Sequence, residues 1–355
     1  MNLKFKNKKI TGILSILPEK EIRFEDELDN YNFSRSQSMK LKLIMGYDRR
    51  RVVEKGTAAS DICVFGLSYL LEKGYLKKEE IDALVVVNQV PDHFMPATSH
   101  IIQGRLSLRS DMYCLDIPQA CAGYPIGLQQ AFMLLEQEQI NKVVVLNAEL
   151  LSLKTSPKDR GSCPLTGDAA AITIVENDPD GNFIYGTADF DGGRGDALII
   201  PAGAGRMPSS AETAIMTQDR NGNERSLDHM VMKGDEVFNF VLNEVPEMIE
   251  RVLANAGLSK DQIDYYMFHQ PNRFVLKKLA DRLEIPYEKM PYNIVELFGN
   301  SCSPTLAVNL THNLSQELVN GKQLICMAGF GAGLSWSSLI MEMGNLTFCE
   351  TIDYK

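Results

Sequence analysis

Three residues far apart in the chain carry the side chains of a thiol nucleophile and its polar partners: Cys121, His269 and Asn300. A thiolate attacks an acyl carbon, an imidazole moves or donates a proton, and a carboxamide donates to developing negative charge. Cys121 lies in Asp116-Ile117-Pro118-Gln119-Ala120-Cys121-Ala122-Gly123-Tyr124. Before it comes a β-leaning run, Met112-Tyr113-Cys114-Leu115; after it come Ile126, Leu128, Ala131, Phe132, Leu134 and Leu135 at helical spacing. The cysteine therefore falls where a strand ends and a helix begins. The unpaired N–H groups and the dipole of a helix start favour negative charge and bias a thiol toward thiolate. Ala120, Ala122 and Gly123 leave room for a carbonyl to approach. Taken singly, each residue has a plainer reading. Cys121 would be a small buried hydrophobe, His269 a hydrogen-bonded core histidine, and Asn300, beside Gly299, a turn former.

The surrounding elements must bring these residues together, and they repeat. Residues 10–17 predict a buried strand, and Ala58 to Lys73 predicts a helix stopped by Gly74. The stretch from Leu76 through Lys77-Lys78-Glu79-Glu80-Ile81-Asp82 to Val87 runs from a turn into a β-branched segment. It recurs as Leu258 to His269, again after a helical pattern ending in glycine, Gly257. Lys142 to Leu146 matches Gln323 to Met327, and Ala170 to Glu176 matches Leu334 to Glu342. The repeat implies a duplicated strand–helix unit forming a layered α/β molecule with right-handed crossovers. Its halves are 1–180 and 181–355, divided at the turn-rich Asn177-Asp178-Pro179-Asp180-Gly181. Residues 186–235, rich in Gly, Ser and Asp, read as an excursion across the active-site face.

Composition narrows the setting. The 355 residues are 45% hydrophobic and 23% charged, ordinary for a globular protein with a large core. No apolar run approaches the roughly 20 residues of a membrane helix. The basic start and the apolar run Ile10 to Leu17 lack a small-x-small cleavage site, so they read as a strand rather than a signal peptide. Seven cysteines without close pairing predict a reducing, cytoplasmic setting. A net charge of −10 excludes nucleic acid as a natural partner and means an acidic carrier protein needs a local basic patch. His93 and His100, with Asp92, fit no metal-binding spacing, so no metal is expected.

Four words occur in order: Ala120-Cys121-Ala122-Gly123, His269-Gln270-Pro271-Asn272, Gly299-Asn300-Ser301 and Gly329-Phe330-Gly331-Ala332-Gly333-Leu334-Ser335-Trp336. In this the chain resembles the β-ketoacyl-ACP synthase III family of the thiolase superfamily, from Ile10-Thr11-Gly12 to Met343. The resemblance implies a five-layered αβαβα sandwich with an internal pseudo-twofold. It also implies acyl transfer to Cys121, then decarboxylative Claisen condensation with malonyl-ACP. His269 and Asn300 would donate to the malonyl thioester carbonyl, with Gln270 or the backbone fixing the histidine tautomer. The backbone N–H groups of Cys121 and Ala332 would hold the oxyanion. Substrates would be acyl-CoA or acyl-ACP and malonyl-ACP, with no permanent cofactor, and the enzyme would be a homodimer. Met95 falls where the family closes the neighbouring subunit's acyl pocket. Biosynthetic thiolases place a second catalytic cysteine where Phe330 stands, which disfavours a thiolase.

Departures surround the donor site. The family's adenine-clamping Trp and Arg are replaced by Ser38-Met39-Lys40-Leu41-Lys42-Leu43-Ile44-Met45, and Asp235 and Asn239 stand where asparagine and lysine are usual. Arg160 is retained. The expectation is a donor site poorer in stacking area and positive charge. Arg273, Lys277, Lys278 and Arg282 form a basic stripe at helical spacing, read as a carrier-docking face. Rival readings are polyketide, quinolone or acyl-transfer work on the same scaffold, a catalytically silent scaffold partner, and a Cys–His–Asn hydrolase.

Overall fold

Strands rich in Val, Ile and Leu, buried on both faces, form the centre of the computed structural model, which describes all 355 residues. The first sheet has six strands, in the order Phe348–Tyr354, Lys8–Pro18, Ala169–Asn177, Lys142–Glu149, Ala83–Val87 and Tyr113–Ile117. The second has five, in the order Asn2–Lys6, Phe183–Phe190, Ser335–Gly344, Lys322–Gly331 and Tyr265–Phe268. Strands matched by the sequence repeat hold equivalent places. Val85 lies beside Val145 in a parallel pair of the first sheet, and Met267 lies beside Met327 in a parallel pair of the second. In both sheets an antiparallel strand follows on the far side.

Two helices, Gly123–Leu134 and Pro304–Asn313, lie between the sheets and share one core of 30 buried residues with strands from both. Gly123–Leu134 is largely apolar, and both helices are buried along most of their length, with only Met133 and His312 exposed. Gly123 is required at the start of its helix: a Cβ there would stand 2.5 Å from Val87 Cγ1. Ala59–Glu72 and Thr98–Arg105 cover the outer face of the first sheet; Gly234–Ala256 and Arg273–Leu283 cover that of the second. The result is the αβαβα sandwich implied by the family resemblance.

The chain ends cross over between the halves. Asn2–Lys6 pairs antiparallel with Phe183–Phe190 in the second sheet, and Phe348–Tyr354 pairs in parallel with Lys8–Pro18 in the first. Phe183–Phe190 is itself a full strand, so the irregular excursion begins at Asp191 rather than at residue 186. Beyond it only two-residue strands form, Leu198–Ile199 with Val231–Met232 and Thr217–Gln218 with Glu224–Arg225. This segment folds over the end of the sandwich, where Leu198, Ile200 and Met230 pack in one apolar cluster with Cys121. No helix is long and apolar enough to cross a membrane.

Candidate active site

Cys121 follows the strand Tyr113–Ile117 and stands just before Ala122, the residue that opens the helix Gly123–Leu134. It is nearly buried, at 7% exposure, and faces a cavity of 360 Å³. Leu151, Leu198, Ile199, Ile200 and Met230 line that cavity, the setting an acyl chain needs. Gly331 closes the opposite side: a Cβ there would lie 2.8 Å from Cys121 Cβ and 3.0 Å from its Sγ. The next residue, Ala332, lines the same cavity, with its carbonyl taken by the Ser335 hydroxyl at 2.8 Å. No backbone carbonyl accepts from the N–H of Cys121 or of Ala332. Both donors are therefore free for an oxyanion.

His269 sits at the end of Tyr265–Phe268, its N–H bound to Ala328 O at 2.7 Å and its ring edge-on to Phe330 at 5.5 Å. Burial pushes its pKa down to about 3, so the imidazole is neutral at physiological pH. Gln270, expected to fix its tautomer, does not reach the ring; its amide donates to the carbonyls of Phe268 and Pro291. Thr305 does reach it. Its Oγ1 lies 2.7 Å from His269 Nδ1 and 2.6 Å from the Cys302 carbonyl. A hydroxyl has one proton, and the carbonyl can only accept, so Thr305 donates to Cys302 and accepts from Nδ1–H. Nε2 is then the lone-pair nitrogen in this resting arrangement. That departs from the expectation of a neutral ring donating toward the substrate.

Asn300 is fixed by its backbone and its side chain. Its N–H donates to Leu165 O at 2.7 Å, and Gly167 N–H donates to its carbonyl at 3.0 Å. Its Oδ1 accepts from Cys302 N–H at 2.8 Å, which leaves the Nδ2 protons for the site. Behind this segment, the buried Arg50–Glu27 pair holds Thr166 O through a 3.2 Å bond from Arg50. Thiol, imidazole and carboxamide are thus gathered by two residues the sequence reading passed over, Thr305 and Cys302. A hydroxyl four residues beyond Ser301 and one of seven cysteines carried no distinguishing signal.

A family profile described as 3-oxoacyl-[acyl-carrier-protein (ACP)] synthase III matches residues 115–191, and its C-terminal counterpart matches 253–343. The β-ketoacyl-[acyl-carrier-protein] synthase III of Syntrophomonas wolfei is 32% identical, over 84% of this chain and 87% of its own. The chain belongs to the 3-oxoacyl-ACP synthase III family. The enzyme of the same name from Caldanaerobacter subterraneus is 30% identical, covering 94% of this chain and 97% of its own. A crystal structure of 3-oxoacyl-(acyl-carrier protein) synthase from Burkholderia xenovorans LB400 superposes with a TM-score of 0.92. It is 31% identical and covers 100% of this chain and 99% of that one. The protein is accordingly a condensing acyltransferase of the thiolase fold.

Around the retained Arg160, the guanidinium lies 3.9 Å from the Phe33 ring centroid. The two line a groove of 830 Å³ together with Tyr47, Arg220, Arg225 and Lys233. Arg160 is steadied by bonds to Asn221 O and Asn223 Oδ1. Charge there is mixed, since Asp159, Asp219, Asp235 and Glu236 share the lining. The basic stripe lies apart from both cavities. Arg273 is tied to Glu296 and Leu43 O, Lys277 lies over Tyr292, Lys278 is near Asp281, and Arg282 is exposed. Met95 projects into solvent beside Phe94, at 82% and 83% exposure, away from this subunit's acyl cavity.

Proposed function

We propose that the enzyme loads an acyl primer onto Cys121 and condenses it with malonyl-ACP in a ping-pong cycle. As the sulfur attacks the primer thioester, its proton passes to His269 Nε2. The oxyanion is received by the N–H groups of Cys121 and Ala332, and collapse expels a thiol that takes the proton back. Malonyl-ACP then loses carbon dioxide, and the electron pair left behind forms an enolate. Asn300 Nδ2 donates to the enolate oxygen. His269 adds a second donor in its Nε2–H tautomer, which the Thr305 hydroxyl permits by turning from the Cys302 carbonyl to Nδ1. The enolate carbon attacks the acyl–Cys121 carbonyl, and expulsion of the thiolate releases 3-oxoacyl-ACP.

The observation that carries this reading is the pinning of the Asn300 carboxamide, with its N–H₂ end left for the site, within two residues of a cysteine against Cys121. The Arg160–Phe33 stack favours coenzyme A as primer carrier, because an adenine needs a flat face and a cation. Two solvent-facing apolar residues, Phe94 and Met95, favour a homodimer in which they cap the partner's acyl cavity. Seven free cysteines suit the cytoplasm. The carrier protein is drawn by exposed cations on the outer helix Arg273–Leu283, among them Lys278 and Arg282.

Intact-mass measurement after incubation with a panel of acyl thioesters tests the assignment. Wild type should gain one acyl mass and Cys121→Ser none. His269→Ala should still acylate, more slowly for want of the Nε2 base, and Asn300→Ala should acylate as wild type; both should lose malonyl decarboxylation by about 100-fold or more. Decarboxylation retained by both variants would refute their roles.

A further inference from the structure

Cys302 touches the support of every group in the proposed mechanism. Its N–H holds Asn300 Oδ1 at 2.8 Å, and its carbonyl takes the Thr305 hydroxyl, at 2.6 Å, that positions His269. Its thiol packs against Cys121 in one apolar cluster and lines the same cavity wall. The backbone at Cys302 has φ +55°, the left-handed region that L side chains avoid. Glycine would take that conformation freely, so a cysteine there invites a reason for its side chain.

The cavity supplies one. No lysine or arginine lines it, so no full positive charge stands beside Cys121. His269 is neutral, and the nearest buried carboxyls, Glu149 and Asp168, lie behind Cys302 with their pKa values pushed up by burial. Gln89 and Gln119 also line the cavity, but within the apolar cluster that packs on Cys121 the Cys302 thiol is the one other side chain with a proton to donate. We propose that Cys302 is a positioning residue whose S–H donates a hydrogen bond to the Cys121 sulfur, stabilising the thiolate and fixing its direction of attack. The proton stays on Cys302, whose pKa is raised by the adjoining Cys121 sulfur and by burial, while Cys121 has the N–H groups of the helix start at hand. One residue would then link nucleophile, imidazole and carboxamide.

This rests on Cys121 being the nucleophile, so the test reads the sulfur directly rather than turnover. The rate of Cys121 alkylation by iodoacetamide, followed by peptide mass, is measured across pH in wild type, Cys302→Gly and Cys302→Ser. Glycine suits the left-handed backbone, which keeps the fold while removing the donor. Its alkylation midpoint should move up by about one pH unit, making reaction at pH 7 about tenfold slower. Serine, with an O–H donor in the same place, should restore the rate to within about threefold. An unchanged midpoint in Cys302→Gly overturns the proposal, as does a serine variant no better than glycine. A shifted midpoint in an enzyme that takes no acyl group would refute the functional reading and still support the hydrogen bond.

Discussion

Glu149 ends the strand Lys142–Glu149 with no exposed surface and with neither carboxyl oxygen in a hydrogen bond. Burial drives its pKa well above the ordinary 4.5, with the Cys302 sulfur and Asp168 adding to the rise. The native protein therefore binds this proton, while the unfolded chain releases it above about pH 4.5. The sign follows. A carboxyl whose folded pKa is raised gives its full stability below the unfolded value and loses it as pH climbs toward the folded value. Each pH unit in that window costs about 1.4 kcal/mol. Glu149→Gln has the same shape and cannot ionise, so it removes this dependence. Urea unfolding of both proteins at pH 5.5 and pH 7.5 isolates the effect, because titrating groups not coupled to Glu149 cancel in the difference. The variant should gain on wild type between the two pH values, by about 1.4 kcal/mol for each pH unit over which the native carboxyl keeps its proton. Curves that stay parallel would mean Glu149 is ionised in the native state, and the account of its burial would fall.

Gly331→Ala should leave the fold intact yet slow acylation of Cys121 at least about tenfold, because the added methyl meets the sulfur at 3.0 Å. The rate of mass gain measures this. Glu27→Gln leaves Arg50 buried without its countercharge and should cost about 3–5 kcal/mol by urea unfolding, loosening the segment behind Asn300. Phe33→Ala should raise KM for acyl-CoA several-fold and leave KM for a carrier-bound primer unchanged; an equal rise for both donors would argue against an adenine clamp. His269 carries a depressed pKa, so its stabilising effect is complete above about pH 6.5 and is lost as pH falls toward 3. His269→Gln should therefore show a flatter acid-unfolding curve than wild type.

Much of this architecture was legible in the sequence because local chemistry enforces it. Continuous β-branched runs such as Val143-Val144-Val145 have no stable place but a buried strand, and the repeat told which strands correspond. Cys121, His269 and Asn300 were legible because each sits in a short word whose glycines and alanines answer to close approach. The exchange of terminal strands was not, since a five-residue strand of Lys and Phe pairs with whichever edge the tertiary structure leaves open. Phe33 carried no signal in the sequence because a lone phenylalanine outside the 38–45 stretch, in the loop before that helix, meets Arg160 only through the fold. Thr305 and Cys302 act through single hydrogen bonds, which leave no periodic trace.

Phe348–Tyr354 is the outer strand of the nucleophile's sheet, at the edge opposite Tyr113–Ile117. It covers the backbone edge of Lys8–Pro18, a long apolar strand that would otherwise be free to pair with another chain. Because Asn2–Lys6 likewise closes onto a strand of the second sheet, each sheet borrows an outer strand from the distant half of the sequence, and neither half can complete its own sheet by itself.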